Sequence, residues 1–110
     1  MPTRMLVEYI DVRGRSPFGA WFARLNAQAA ARVATVLYRL GEGNVSNVKS
    51  VGKGVSEYKL NFGPGYRVYF GQQGEALVIL LAGGTKKRQV VAIKQAQANW
   101  ADYKSRQRKQ

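Results

Sequence analysis

Lys59, Arg67 and Tyr69 are the residues whose types and spacing could carry out chemistry. They lie in two runs of alternating polar and apolar residues, 56–62 and 66–70, on the two sides of a Gly-Pro-Gly turn. Arginine offers a planar pair of donors to a phosphate, lysine offers a point charge, and tyrosine can stack on a base or donate a hydrogen bond. Together these three side chains predict recognition of a phosphate by one face of a β-hairpin.

The composition limits the chemistry that is open to these side chains. The chain of 110 residues contains neither His nor Cys. This excludes imidazole acid–base catalysis, thiol nucleophiles, disulfides and almost every Zn, Fe or Cu site. The 6 acidic residues are scattered and make poor ligands for Mg²⁺ or Ca²⁺. We therefore expect no metal and no cofactor, and any catalysis would depend on Lys, Arg and Tyr.

The net charge indicates an anionic partner. The chain has 18 basic and 6 acidic residues, a formal charge of +12, which favours nucleic acid over an ordinary basic protein without such a partner. Residues 49–110 hold 12 basic and 3 acidic residues, against 6 and 3 in residues 1–48. No apolar run approaches the ~20 residues of a membrane span, and no signal peptide is recognisable. We expect one cytoplasmic domain over residues 1–110, with no membrane partner.

The first half of the chain predicts a strand and two helices that would support the hairpin. Residues 5–10 are short, apolar and β-inclined, which predicts the first strand. Ser16-Pro17 can cap and open a helix, and apolar residues then recur at three- and four-residue spacing through Leu40. Because Asn26 can end one helix and cap the next, we expect a short helix followed by a longer one that ends near Gly41.

The second half supplies the rest of the sheet and a last helix. Residues 41–54 are rich in Gly, Asn, Ser and Lys and predict a connection without an element of its own. The nearly continuous apolar run 75–81 predicts a central strand that is covered on both faces, and the spacing of apolar residues over 90–103 predicts a final amphipathic helix. Residues 104–110 form a basic tail that we expect to be frayed.

The hairpin register decides which side chains share a face. Matching the apolar residues of the two runs pairs Leu60 with Val68 and therefore Lys59 with Tyr69. A shift by one residue would bury Lys59 and Arg67 without partners, so we expect these polar side chains to share an open sheet face. A solvated face that serves solubility alone is the alternative. Lys86, which follows Gly-Gly at the end of the apolar strand, could extend the same anion site.

Three blocks of the sequence resemble the addiction-module killer proteins, which are HigB-like toxins of the RelE/ParE superfamily. The blocks are Gly-Val-Ser-Glu-Tyr-Lys at 54–59, Gly-Pro-Gly-Tyr-Arg-Val-Tyr-Phe at 63–70, and Leu-Leu-Ala-Gly-Gly-Thr-Lys-Lys-Arg-Gln at 80–89. The resemblance covers nearly the whole chain. It implies an α+β fold, in which two N-terminal helices and a C-terminal helix pack on one side of a small antiparallel-rich sheet.

The resemblance also implies a function. Such proteins are bacterial toxins of type II toxin-antitoxin systems, silenced by a cognate helix-turn-helix (HigA-like) antitoxin whose complex with the toxin can bind operator DNA. It implies cleavage of mRNA on the ribosome, and so inhibition of translation, by a metal-independent endoribonuclease. In that reaction the ribose 2′-hydroxyl attacks the adjacent phosphate.

Carried over by position, Arg67 and Lys59 are the strongest catalytic candidates. We expect Arg67 to bind the scissile phosphate and Lys59 to act as a base or to stabilise charge, although arginine is more usual in the family at position 59. Tyr69 would stack on a base or relay a proton, and Lys86 would position the phosphate. Further residues expected to bind RNA are Lys53, Lys87, Arg88 and Lys104, and Tyr103 is a secondary catalytic candidate.

Two other functions remain open at the level of sequence. A ParE-like toxin would use the same scaffold to block DNA gyrase without cutting RNA. A degenerate module would bind only its antitoxin and DNA.

Overall fold

The protein, described here by a computed structural model over residues 3–108, is built around one five-stranded sheet. The strands lie in the order β1-β5-β4-β3-β2, and every neighbouring pair is antiparallel except β1 and β5, which are parallel. The strands are β1 (Met5–Glu8), β2 (Val48–Ser50), β3 (Val55–Lys59), β4 (Tyr66–Gln73) and β5 (Leu77–Thr85). The helices are α1 (Pro17–Ala23), α2 (Ala27–Gly41) and α3 (Gln89–Arg108), the last preceded by a 3-10 turn at Lys86–Arg88. The predicted α+β class is confirmed.

The two N-terminal helices begin where the sequence predicts. The Ser16 hydroxyl accepts a hydrogen bond from the Gly19 amide at 2.8 Å, and Pro17 occupies the first helical position. The Asn26 carboxamide oxygen accepts from the Ala29 amide at 2.8 Å and starts α2. Both caps satisfy amide groups that the helix itself leaves without partners.

Helices cover both faces of the sheet, which corrects the expectation that they pack on one side. Helices α1 and α2 pack on the face that carries Tyr58, Val68 and Phe70. Helix α3 packs on the other face through Ala92, Ala96 and Trp100. The polar hairpin face that we expected to be open is therefore partly covered by α3.

The hairpin register differs from the predicted one by two residues. Lys59 pairs with Arg67, and Glu57 pairs with Tyr69. Because side chains alternate along a strand, a shift of two residues leaves each of them on the predicted face. The difference arises in the connection: β3 ends at Lys59, the Leu60 amide donates to the Tyr66 carbonyl at 2.9 Å, and the loop between them is wider than the Gly-Pro-Gly turn alone.

Other predicted boundaries also change. The connection 41–54 contains β2, an edge strand of 3 residues. The run 75–81 was expected to form a central strand covered on both faces, and this is confirmed, because β5 lies inside the sheet between β4 and the parallel edge strand β1 and contributes residues to the cores on both faces. Helix α3 continues to Arg108, where we expected a frayed tail; residues 109–110 of that tail lie outside the described residues. No helix within residues 3–108 is long and apolar enough to cross a membrane.

Candidate active site

Three of the four residues predicted to be catalytic line one cavity at the loop end of the hairpin. Lys59 is the last residue of β3, Arg67 is its direct partner near the start of β4, and Lys86 follows β5. The cavity has a volume of about 360 Å³, and the loop 61–65 forms its remaining wall. The side chains of Lys59 and Lys86 are exposed, whereas Arg67 is 3% exposed and forms the inner surface. The arrangement is open to a solvent-borne anion.

The Gly-Pro-Gly segment holds this cavity in shape. The Arg67 Nη1 donates to the Gly65 carbonyl at 2.6 Å, and the Lys86 amide donates to the Pro64 carbonyl at 3.3 Å. Gly65 has a φ of 77°, which favours glycine. A Cβ at this position would lie 3.0 Å from Arg67 Nη1 and 3.3 Å from the Cβ of Lys86. Glycine therefore lets the loop lie directly against both basic residues.

Glu57 lies beneath the cavity and was not among the predicted site residues. Its carboxylate is fully buried, and its Oε2 atom lies 3.5 Å from Nε of Arg67. Arg67 is therefore held from two directions, by Glu57 on one side and by the Gly65 carbonyl on the other. A buried guanidinium needs such a counter-charge, because an uncompensated buried charge is costly. The pair fixes Arg67 at the base of the cavity.

The same carboxylate connects four elements of the fold. Glu57 Oε2 accepts hydrogen bonds from the Tyr69 hydroxyl and from Gln89 Nε2, both at 2.9 Å. On the other side, Nζ of Lys49 lies 3.7 Å from Oε1. These contacts join β2, β3, β4 and the start of α3 beneath the cavity. We interpret Glu57 as a positioning residue, since it contacts Arg67, Tyr69 and Gln89 and does not itself line the cavity.

The prediction that Tyr69 stacks on a base is wrong. The side chain is fully buried under α3, and its hydroxyl donates to Glu57. Burial and the hydrogen bond to Glu57 both raise the pKa of Tyr69, so its hydroxyl keeps its proton at neutral pH. Tyr69 supports Glu57 from below and does not reach the cavity that Lys59 and Arg67 line.

Tyr103 and Lys104 lie at the far end of the sheet. The Tyr103 hydroxyl donates to Gln73 Oε1 at 2.9 Å, and its ring stacks on Trp100 with centroids 5.4 Å apart. Gln73 ends β4, about 20 Å along the strand from Arg67. Tyr103 is therefore a packing residue rather than part of the cavity, and Lys104, which lies over Trp100 at 5.5 Å, belongs to the same end.

The other predicted RNA-binding residues are exposed but dispersed. Lys87 and Arg88 lie in the 3-10 turn next to Lys86, and Arg88 lines a separate cavity of about 290 Å³ between α1 and α3. Lys53 lies in the turn between β2 and β3 and lines a cavity with Lys94 of α3. Only Lys87 and Arg88 thus adjoin the candidate active site in sequence. Within residues 3–108 no group of 3 or more His, Cys, Asp or Glu could hold a metal ion.

Comparison with known proteins identifies a bacterial relative of this chain. No protein-family model matches the sequence. A Haemophilus influenzae protein described as an "Uncharacterized protein" is 41% identical over 88 residues, which cover 79% of this chain and 89% of the relative. The chain belongs to the same protein family as this relative. The description of this relative carries no function.

Proposed function

We propose that this protein is a HigB-like toxin of the RelE/ParE superfamily that cleaves mRNA on the ribosome. The observation that carries the proposal is the cavity in which Lys59, Lys86 and the buried Arg67 converge on one solvent-accessible space. A phosphate in that space would meet positive charge from three sides. Its developing negative charge in the transition state would be stabilised without any metal.

The reaction that fits this cavity is transfer of a phosphoryl group within the RNA. The 2′-hydroxyl oxygen forms a bond to the adjacent phosphorus, the bond from phosphorus to the 5′-oxygen breaks, and a 2′,3′-cyclic phosphate remains. The proton of the 2′-hydroxyl passes to Lys59 or to water in the open cavity, and the leaving 5′-oxygen takes a proton from water. Arg67 holds the phosphate oxygens through its fixed donors, and Lys86 positions the phosphate. Lys59 acts at the 2′-hydroxyl, either as a base or by stabilising the charge that develops on its oxygen.

The proposal includes a partner. The toxin would be encoded with a helix-turn-helix antitoxin that binds and silences it, and the pair would bind operator DNA. The large positive charge, +12 over 110 residues, suits both a ribosomal RNA environment and an acidic protein partner.

Cleavage of a defined message on programmed ribosomes tests the proposal. Lys59→Ala and Lys86→Ala change exposed side chains and should fold, whereas Arg67→Ala also leaves Glu57 without its counter-charge. Loss of one well-aimed donor is worth about 3–4 kcal/mol, so Arg67→Ala should lower the cleavage rate about 100-fold or more. Lys94→Ala, on the exposed side of α3, is the matched control and should cut like the wild type.

Unchanged cutting by both Lys59→Ala and Arg67→Ala would refute the assignment. Inhibition of DNA gyrase supercoiling by the purified protein, with the message left intact, would favour the ParE-like alternative instead.

A further inference from the structure

A second cavity opens directly beside the candidate active site. It has a volume of about 270 Å³ and lies between α2 and the β3–β4 loop. The two cavities share Lys59, Asn61 and Phe62 in their linings, so they lie next to each other. We call the second cavity the α2 groove; its polar lining includes Arg32, Arg39, Asn47, Lys59 and Asn61.

The α2 groove is positively charged and has no acidic residue in its lining. Arg32 and Arg39 are seven residues apart on α2, so they lie on one flank of the helix about 10 Å from each other. Both are exposed, and within residues 3–108 neither forms an ion pair with a carboxylate. Two exposed arginines without a counter-charge offer an anionic ligand two points of attachment.

Arg32 is held in place without losing its charge. Its guanidinium carbon lies 4.4 Å from the centroid of the Phe62 ring, in a cation–π contact. The Phe62 ring also stacks on Tyr66, with centroids 6.1 Å apart. An arginine that packs on an aromatic ring keeps its N–H donors available to an anionic ligand.

We propose that the α2 groove binds the stretch of single-stranded RNA next to the scissile phosphate. The inference rests on the proposed function and extends it to the substrate path. Arg32 and Arg39 bind backbone phosphates, and the carboxamides of Asn47 and Asn61 face the bases, whose edges offer both donors and acceptors. Lys59 stands where the two cavities meet and therefore contacts RNA from both sides.

Salt-dependent binding of a short single-stranded 2′-O-methyl oligoribonucleotide tests this inference. That probe lacks the 2′-hydroxyl and cannot be cleaved, so the result does not depend on the proposed reaction. Each phosphate contact contributes about 0.7 to the slope of log affinity against log salt for a single strand. The Arg32→Gln/Arg39→Gln variant should lower the slope by about 1.4. When salt rises from roughly 50 to 200 mM, the affinity of the double variant should fall by a factor that is about seven times smaller than the factor for the wild type.

Lys94→Gln removes a charge from α3, on the opposite face of the sheet, and should leave the slope unchanged. An unchanged slope in the double variant, or no measurable binding of RNA by the wild type, overturns the inference. So does a double variant that loses binding to a polyglutamate peptide but not to RNA, because the groove would then serve an acidic protein partner.

Failure of the proposed function looks different from failure of this inference. It would appear as absence of cleavage on ribosomes, with the slope difference between wild type and double variant still present. If both hold, the double variant should raise the KM for programmed ribosomes and keep kcat, since Lys59, Arg67 and Lys86 remain in place.

Discussion

Glu57→Gln is the perturbation that most sharply tests how the site is built. The substitution keeps the shape of the side chain and its ability to accept from Tyr69, but it removes the charge that lies 3.5 Å from the Arg67 guanidinium. Both side chains are almost completely inaccessible, at 0% and 4% exposure. Leaving one member of a buried ion pair uncompensated costs about 3–5 kcal/mol. For a domain of this size we expect the Tm to fall by at least ~10 °C.

A double-mutant cycle of Glu57→Gln and Arg67→Gln, measured by urea unfolding, isolates the interaction. The double variant should lose less stability than the sum of the single variants, with a coupling energy of at least about 1 kcal/mol. Because the pair is buried, this coupling should persist at high salt. Strictly additive losses would refute the interpretation that Glu57 holds Arg67 through its charge.

Lys49→Gln provides the matched control for the same carboxylate. Lys49 lies 3.7 Å from Glu57 Oε1, but its side chain is 65% exposed. An exposed partner of this kind contributes about 1 kcal/mol or less, and that contribution is screened by salt. A loss from Lys49→Gln as large as that from Glu57→Gln would contradict the distinction between the two contacts.

Three further predictions follow from the geometry. Gly65→Ala should lower both stability, by about 1–2 kcal/mol, and cleavage, whereas Gly74→Ala has a similar positive φ with open space around it and should lower stability alone. Tyr103→Phe should leave the cleavage rate unchanged; a large loss would place Tyr103 back in the site. Burial, followed by the hydrogen bond to Asp102, raises the pKa of Tyr9 to about 12, against ~10 in the unfolded chain. The contribution of protonated Tyr9 to the free energy of unfolding is therefore complete below pH ~10 and falls as the pH rises toward 12. Tyr9→Phe should flatten that alkaline decline in unfolding experiments, and an identical decline in both proteins would contradict it.

Much of the fold follows from local signals in the sequence. Ser16 and Asn26 cap their helices through side-chain contacts with nearby amides, so their effect depends on neighbours in sequence alone. The faces of the hairpin were also predictable, since a shift of two residues in register preserves them. The short strand β2 was not predictable, because its 3 residues carry too little apolar character and depend on pairing with β3.

The packing of α3 over the polar face of the hairpin could not be predicted from the sequence, for a physical reason. Helix α3 contacts the sheet largely through Ala92 and Ala96, whose small side chains give a weak amphipathic pattern, and through Trp100. Close approach also requires Gly71 in β4, where a Cβ would lie 2.6 Å from the Trp100 ring. Neither feature can be recognised from the sequence before the pairing of the strands is known. That cover buries Tyr69 and turns Glu57 from a surface charge into a buried anchor.

The candidate site was predicted better than its environment. Lys59, Arg67 and Lys86 converge as expected because β3, β4 and β5 are neighbours and the strand ends that carry these residues lie at the same end of the sheet. Positive charge alone did not show which other basic residues lie near the cavity. Lys53 and Lys104, which were predicted to bind RNA, line separate cavities. The basic residues that adjoin the cavity, Arg32 and Arg39, come from the first half of the chain, which carries the smaller excess of positive charge.

The central claim is that the cavity directs a 2′-hydroxyl against the adjacent phosphate of mRNA. The most direct measurement maps message ends on programmed ribosomes, first with natural RNA and then with a single 2′-deoxynucleotide at the cut position. We predict cleavage of the natural message to a 2′,3′-cyclic phosphate end and no cut at the deoxynucleotide. Cleavage that persists at the deoxynucleotide, or an intact natural message, would contradict the account.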